Sequence, residues 1–403
     1  MGRPSQILID YLEKNNYYIG AFYDKNENYS FPKSVKEIHK IDITSKKNTI
    51  KILSKTNFNR KPDVIMARYE NDIVDKTWIG KYFNLRVPSE KSVLAASDKY
   101  LMRKKFIDYN PNITPHFSLV KNFESIKKFM LSHNYPVILK PTNLFKSLLV
   151  TKNDNLQELK ENYDQASKEI DKIYKKYGVI HRKPNLVIEE FLEGPSFSVE
   201  AFYGENKIYA TDVVDLIMAR DINIIDNYNY SRKLPSTTNQ KKQNEIKKTA
   251  IEGMKALDLK NSPGHCEIIY TKNGPKIIEI GARIGGYRTR MFKLAQGLDL
   301  NKIEIDIALG KTLHFDKLKN NYCAVYELFP NKTVKFMSIS NISKLKKLNS
   351  LNYLSIKYKQ GQTIGLSKNG YKFVAAIILS NKNQDQYLKD CNFVKNNFRV
   401  LKK

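Results

Sequence analysis

The chain has 403 residues, 41% of them hydrophobic, which is enough for a globular protein of roughly two to four domains with a real apolar core. Its formal net charge of +28 comes from Lys and Arg residues spread along the whole length among many Asn, Ile and Tyr. No nucleic-acid-binding signature accompanies them, so the charge is read as compositional bias rather than a nucleic-acid interface. A run of eighteen apolar residues, a signal peptide and a myristoylation motif are all missing, and the three isolated cysteines fit a reducing cytoplasm, so neither a membrane nor a disulfide framework is expected.

Residues 1–96 read as an α/β layer. Ser5 caps a helix with Ile7, Leu8, Tyr11 and Leu12 on one face. Residues 18–23 form a buried strand, residues 51–53 lie in a helical pattern, and residues 63–67 form a second strand. A layer of this kind ordinarily opens on a strand. Here the first element is a helix, so a first strand is missing from the pattern.

Ser89 starts a helix over residues 89–96, and Ser97-Asp98 cap the next, which places Lys99 in its first turn. A strand over 117–120, a helix over 123–132 and a short apolar strand over 135–141 follow. That strand carries Lys140 near its end, and mere solvation suits a lysine poorly after three apolar residues. The charged stretch 155–177 is a long helix with a solvated face. Residues 186–192 are a strand running into the bend at Gly194-Pro195. A hairpin turns at residues 204–206, and residues 242–257 are an amphipathic helix. From residue 311 strands dominate, at 323–329, 353–358 and 372–379, and this tail reads as a separate β-rich lobe.

The most informative stretch is residues 264–290. Two β-prone runs flank Asn273-Gly274, and each carries one carboxylate, Glu267 and Glu279. With Asn273-Gly274 as a two-residue loop, the two carboxylates face opposite sides of the sheet. With a loop of Lys272, Asn273 and a left-handed Gly274, they lie directly opposite each other, about 5 Å apart at Cβ. Such a pair repels itself unless a hard divalent cation sits between the oxygens; the alternative is an edge hairpin with two solvated glutamates. Gly281, Gly285 and Gly286 allow close backbone approach, and Arg283, Arg288 and Arg290 add guanidinium groups. Carboxylates, glycines and arginines together suit Mg²⁺ bound to phosphate.

Taken in order, these pieces resemble the ATP-grasp superfamily of carboxylate–amine ligases. Asp98-Lys99 resembles the first ATP lysine of that family. Residues 135–141 resemble the strand whose lysine, here Lys140, touches the α-phosphate and adenine. Glu189, Glu190, Phe191 and Leu192 resemble the hinge that reads the adenine edge. Glu267 and Glu279 resemble the Mg²⁺ ligands, and Arg283 the arginine four residues on. Residues 279–286 are most similar to L-amino acid and dipeptide ligases.

The resemblance implies an α/β (α+β) fold. A Rossmann-like pre-ATP-grasp layer spans 1–96, a small lobe 97–188, a large lobe with the Mg²⁺ site 189–310, and a C-terminal lobe 311–403. It also implies ATP with Mg²⁺ or Mn²⁺ as cofactors, a small carboxylate and an amine as substrates, a cytoplasmic enzyme, and a carboxylate activated as an acyl-phosphate. An oligomer is compatible with it. Lys99, Lys140 and Ser147 would position phosphates, and Arg283 would stabilise developing charge.

Three departures stand out. The loop after Lys140, residues 142–147, has no glycine, although residues 143–147 of it are the expected lid. Ser196 replaces an acid after the hinge, and Gly281 replaces an asparagine. A carboxylase-type ligase and a nucleotide-binding protein without turnover are the alternative readings.

Overall fold

The computed structural model describes residues 5–144, 148–179, 183–204, 206–224, 226, 228–315 and 318–402. Helix α1 (Gln6–Lys14) follows Ser5, which takes the N-cap backbone conformation without making a side-chain cap bond. Strands β1 (Ile19–Asp24) and β2 (Val35–Ile41) pair in parallel, and α2 (Lys46–Leu53), α3 (Ile73–Tyr82) and α4 (Glu90–Ala96) complete the layer. Strand β2 escapes a sequence reading because its apolar positions Val35, Ile38 and Ile41 fall three apart, the spacing of a helix. Residues 63–67 correct the expectation of a second strand. They have strand composition, but no other strand pairs with them.

The next layer begins at Asp98, whose carboxylate accepts the Leu101 N–H and caps α5 (Lys99–Tyr109). After it come β3 (Phe117–Val120), α6 (Phe123–Met130), β4 (Val137–Pro141), β5 (Thr151–Asn153), α7 (Leu156–Lys176) and β6 (Leu186–Glu190). The four strands form an antiparallel sheet in the order β3-β6-β4-β5. Apolar faces of α6 and α7, through Ile126, Phe129, Leu159 and Ile170, cover Val137, Leu139 and Ile188. Strand β6 ends at Glu190, so Phe191 and Leu192 lie beyond it.

The large sheet starts with β7 (Ser196–Tyr203), β8 (Ile208–Ala210), β9 (Val214–Met218) and β10 (Asn229–Leu234). Helix α8 (Gln240–Ala256) intervenes before the hairpin of β11 (Ser262–Thr271) and β12 (Gly274–Gly281). On β7, Phe197, Val199 and Ala201 turn toward α8 with Cys266 and Ile268 of β11, so Ser198, Glu200, His265 and Glu267 are left for the opposite face. Helices α9 (Arg288–Gln296) and α10 (Leu300–Ala308) follow.

The tail comprises β13 (Tyr322–Leu328), β14 (Val334–Ile339), α11 (Ile342–Leu345), β15 (Leu351–Ile356), β16 (Thr363–Ile364), β17 (Ala375–Asn381), α12 (Gln384–Asn397) and β18 (Val400–Lys402). Its strands do not all keep to themselves. The main path of the large sheet runs β12-β11-β7-β9-β10-β13-β17-β15, so three tail strands extend it. The tail has its own apolar cluster, to which α12 contributes Tyr387, Cys391 and Val394.

Candidate active site

Strand β4 presents Lys140 next to β6, with Ile138 in register with Glu189. The Lys140 ammonium lies 2.7 Å from one Glu189 oxygen. From α5, the Arg103 guanidinium donates through Nε (3.0 Å) and Nη2 (3.3 Å) to the same carboxylate. All three side chains are buried, and the one carboxylate faces two cations, so the group keeps one positive charge in excess. Burial pushes the Lys140 ammonium down to about 8 against the pull of Glu189. Burial would raise the Glu189 carboxyl, but Arg103 and then Lys140 outweigh it and hold it below its ordinary value.

Glu189 therefore serves as the internal partner of Lys140. Its main chain stands in register with both β3 and β4 and offers no free edge to an adenine. Of the other hinge residues, Glu190 donates its N–H to His116 O at 3.0 Å and Phe191 donates to Pro136 O at 3.3 Å. Leu192 follows and is buried.

Lys99 donates to Leu144 O at 3.0 Å and lies 3.4 Å from Glu279 Oε2. The start of the expected lid is pinned to the same corner. Asn143 Nδ2 donates to Ser97 O and to Asp98, each at 2.9 Å, and Leu144 is buried. Phe145, Lys146 and Ser147 lie outside the described residues.

Across the cleft, Glu267 stands directly opposite Glu279. The expected pairing is present, but its cause differs from the expected loop. Thr271 pairs with Gly274, so the loop is the two residues Lys272 and Asn273, and Gly274 has φ +98°. Ile268 pairs with Ile277 and Glu267 with Glu279, so Ile278 is an extra residue, a β-bulge that resets the parity. The carbonyl of this bulged residue accepts from Arg103 Nη2 at 2.6 Å. The guanidinium that balances Glu189 therefore also binds the bulge that turns Glu279 toward Glu267.

The two carboxylates keep 34% and 32% of their side-chain surface exposed. Behind Glu267, His265 Nε2 lies 3.4 Å from it while Nδ1 lies 2.6 Å from Glu200. Glu200 is fully buried and accepts the Gly285 N–H at 2.9 Å. Arg288 donates to Ser198 Oγ at 2.7 Å and its Nε lies 3.5 Å from Glu200. Burial would raise the Glu267 carboxyl; His265 first, then Arg288 and Arg232, outweigh it and hold it at about 2. Burial also pulls His265 down, but Glu200 and then Glu267 outweigh it, so the ring's pKa is raised.

Arg283 meets Glu70 at 2.8 Å, which ties the N-terminal layer to the site. Two glycines are explained by these contacts. A Cβ on Gly281 would lie 2.3 Å from Glu70 Oε1, and one on Gly285 would lie 2.4 Å from His265 Nδ1. Arg290 stacks over Tyr353 at 4.2 Å, and Arg232 sits 5.4 Å from the Tyr287 ring while holding Glu327 at 2.9 Å.

The donor set fits Mg²⁺ shared with phosphate. Among the described residues, no group of three or more His, Cys, Asp or Glu could hold a metal by itself. Two carboxylates leave most of an octahedral shell to phosphate oxygens and water, the usual Mg²⁺ arrangement. Sequence reasoning had already named Lys99, Lys140, Glu267, Glu279 and Arg283 as candidates. It missed Arg103, Glu200, His265 and Glu70. Only Arg103 left a signal, four residues after Lys99 and so on the same helix face.

The sequence profile of the ATP-grasp domain matches residues 133–290. A D-alanine–D-alanine ligase of Staphylococcus haemolyticus (strain JCSC1435) is 25% identical over 346 residues, covering 79% of this chain and 93% of the relative. The crystal structure of an L-amino acid ligase from Bacillus licheniformis superposes with a TM-score of 0.84 at 16% identity, covering 98% of this chain and 96% of the other. The biotin carboxylase domain of a Hydrogenobacter thermophilus 2-oxoglutarate carboxylase, crystallised with ADP magnesium salt and bicarbonate, superposes with a TM-score of 0.68 at 14% identity. That match covers 98% of this chain and 88% of the other. The fold is the ATP-grasp fold, and no helix among the described residues is long and apolar enough to cross a membrane.

Proposed function

We propose that this chain, which carries an ATP-grasp domain over residues 133–290, is an ATP- and Mg²⁺-dependent ligase that joins a small carboxylate to an amine with release of ADP and phosphate. The observation that carries this reading is the direct opposition of Glu267 and Glu279, with Lys99 beside Glu279. A carboxylate oxygen of the acid attacks the γ-phosphorus, and the bond to ADP breaks. The amine then attacks the acyl carbon, phosphate leaves, and the amine loses a proton. No protein nucleophile is required, because phosphate is the activating group.

Lys140 and Lys99 set cations against the phosphate chain, while Leu192 and the end of β6 border the base. Glu267 and Glu279 would hold Mg²⁺, which when bound neutralises charge on the phosphates. Arg283, fixed by Glu70, stabilises the charge that builds on the transferring phosphoryl group or on the acyl-phosphate. The similarity to an L-amino acid ligase supports amino acids as the substrate class.

The test is to incubate the protein with ATP, Mg²⁺ and pairs of amino acids, following ADP and product mass together. ADP and an amide are expected in equal amounts, and only when an acid and an amine are both present. ADP formation supported by bicarbonate alone would replace this reading with a carboxylase.

A further inference from the structure

Strand β12 is an edge of the large sheet, and among the described residues β11 is its one neighbour in the ladder. Main-chain groups of an edge strand that the ladder leaves over need another partner. A bulge adds to them, because its extra residue drops out of the pairing. Ile277 and Ile280 hold the register from inside. Without the bulge Glu279 would stand opposite Cys266 and point into their apolar cluster. Their burial does not fix the angle at which the bulged backbone aims Glu279 into the cleft. The contact that does so is the one Arg103 Nη2 makes to the Ile278 carbonyl at 2.6 Å. Arg103 belongs to α5 and reaches this edge while its Nε and Nη2 also hold Glu189 beside Lys140. Its Nη1 meets the Met102 thioether at 3.9 Å. The side chain is fully buried, so it reaches a ligand through its neighbours and not by touching it. A guanidinium fork spans two acceptors in different directions; a single ammonium keeps the charge but not the span.

We propose that Arg103 is a positioning residue for the metal site: through the Ile278 carbonyl it fixes the aim of Glu279, and through Glu189 it fixes Lys140, so that Mg²⁺ and the phosphates bind as one unit. The inference rests on the reading of Glu267 and Glu279 as the metal carboxylates. A group that orients a metal ligand from behind acts on metal affinity, and the metal in turn holds the phosphates. Loss of the fork therefore weakens the help that Mg²⁺ gives to nucleotide binding. It leaves Lys99 and Lys140 able to attract phosphate without the metal.

The experiment is calorimetry of ADP binding to the full chain, once with excess Mg²⁺ and once with the metal chelated. Two variants are compared with the wild type. Arg103→Lys keeps the charge and loses the fork. Arg103→Met loses both, and leaves Glu189 and Lys140 as one balanced pair. Both should melt cooperatively. In both, ADP with Mg²⁺ should bind about tenfold more weakly than in the wild type, as loss of a partner behind a metal ligand does. Without metal, Arg103→Lys should bind ADP as the wild type does. Equal tightening by Mg²⁺ in the wild type and in Arg103→Lys overturns the proposal. A loss of the same size with and without metal also overturns it, by showing general damage to the cleft. A loss confined to Arg103→Met overturns it by assigning the role to charge, and failure of Arg103→Lys to fold overturns it by assigning the role to the fold. A wild type that binds ADP equally with and without Mg²⁺ refutes the metal site itself, and the proposal with it.

Discussion

On the small sheet, Arg103, Lys140 and Glu189 are 5% exposed or less, with two cations sharing one carboxylate. On the large sheet, Glu267 and Glu279 keep about a third of their side-chain surface in the cleft and face each other as like charges. The first group has one positive charge to spare for a phosphate; the second, with Lys99 and His265 alongside, leaves exposed carboxylate oxygens for a metal cation. Buried, mutually satisfied charges set geometry, so their loss is expected to appear in folding. Glu279, a third exposed and facing a like charge, costs the fold little to remove, so its loss is expected to appear in turnover. Arg103 links the two, because it binds Glu189 and the bulge carbonyl beside Glu279.

The strongest way to break this comparison is Glu279→Gln, which keeps the shape and removes the charge. We expect ADP formation to fall by about a thousandfold with melting essentially unchanged, since charge stabilisation in phosphoryl transfer is worth several kcal/mol. Wild-type turnover in this variant would remove the metal site from the proposal. The converse is Glu189→Gln, which leaves two buried cations unbalanced. It should cost about 3–5 kcal/mol of stability in denaturant titrations. A stability loss under 1 kcal/mol, in the range of an exposed pair, would mean the two regions do not differ as argued.

Acidity sharpens the contrast further. Lys140 is charged below its folded value of about 8 and neutral above it, and only the charged form attracts phosphate. ATP affinity should therefore fall as pH rises through about 8, and calorimetry on Lys140→Arg should show no such break. Affinity that is flat from pH 7 to 9 in the wild type would count against Lys140 as a phosphate ligand. Glu267 moves the other way. Its folded carboxyl, held at about 2, favours the folded state above the unfolded value near 4.5, and that contribution is lost as pH falls toward 2.

Smaller effects follow at the glycines. Gly281→Ala forces Glu70 away and loosens Arg283, so kcat/KM should fall about tenfold, as misplacement of a positioned group does. An unchanged value would show that the Glu70 contact is dispensable. Gly274→Val strains a residue at φ +98° that has open space around it, and should cost about 1–2 kcal/mol with turnover retained. Turnover survives because Ile278, not the loop, sets the register of Glu279. Loss of turnover in a folded Gly274→Val protein would return that role to the loop.

The same hairpin shows how far the sequence could be read. The carboxylate pair was legible because a single charge interrupts each apolar run. The bulge was not, although Ile277 and Ile280 hint at it. Both are fully buried in the cluster under α8, and strict alternation cannot put residues three apart on one face. Lys140 was legible from its apolar strand; Arg103 shares a helix face with Lys99 but stands beside Lys104 and Lys105, which mask that spacing. Glu200, His265 and Glu70 acquire their roles only from partners distant in sequence. Residues 63–67 fail in the opposite sense, having strand composition without a neighbour in the ladder. Helix α12 was overlooked although its buried Tyr387, Asp390, Cys391 and Val394 keep helical spacing, because one of the four is a carboxylate and the stretch was read with a β-rich tail.

The continuity of the large sheet has a consequence for synthesis. Strand β10 pairs with β9 on one side and with β13 on the other, and β13 in turn waits for β17 and β15. A ribosome finishes the whole catalytic hairpin before it releases the strands that close this sheet. For that interval a nascent chain carries an unpaired edge at β10, open to the same edge on a neighbouring nascent chain. The final eighty or so residues thus act as a built-in cover for the rest, and a product stopped near residue 320 is expected to accumulate as aggregate rather than as a shorter enzyme.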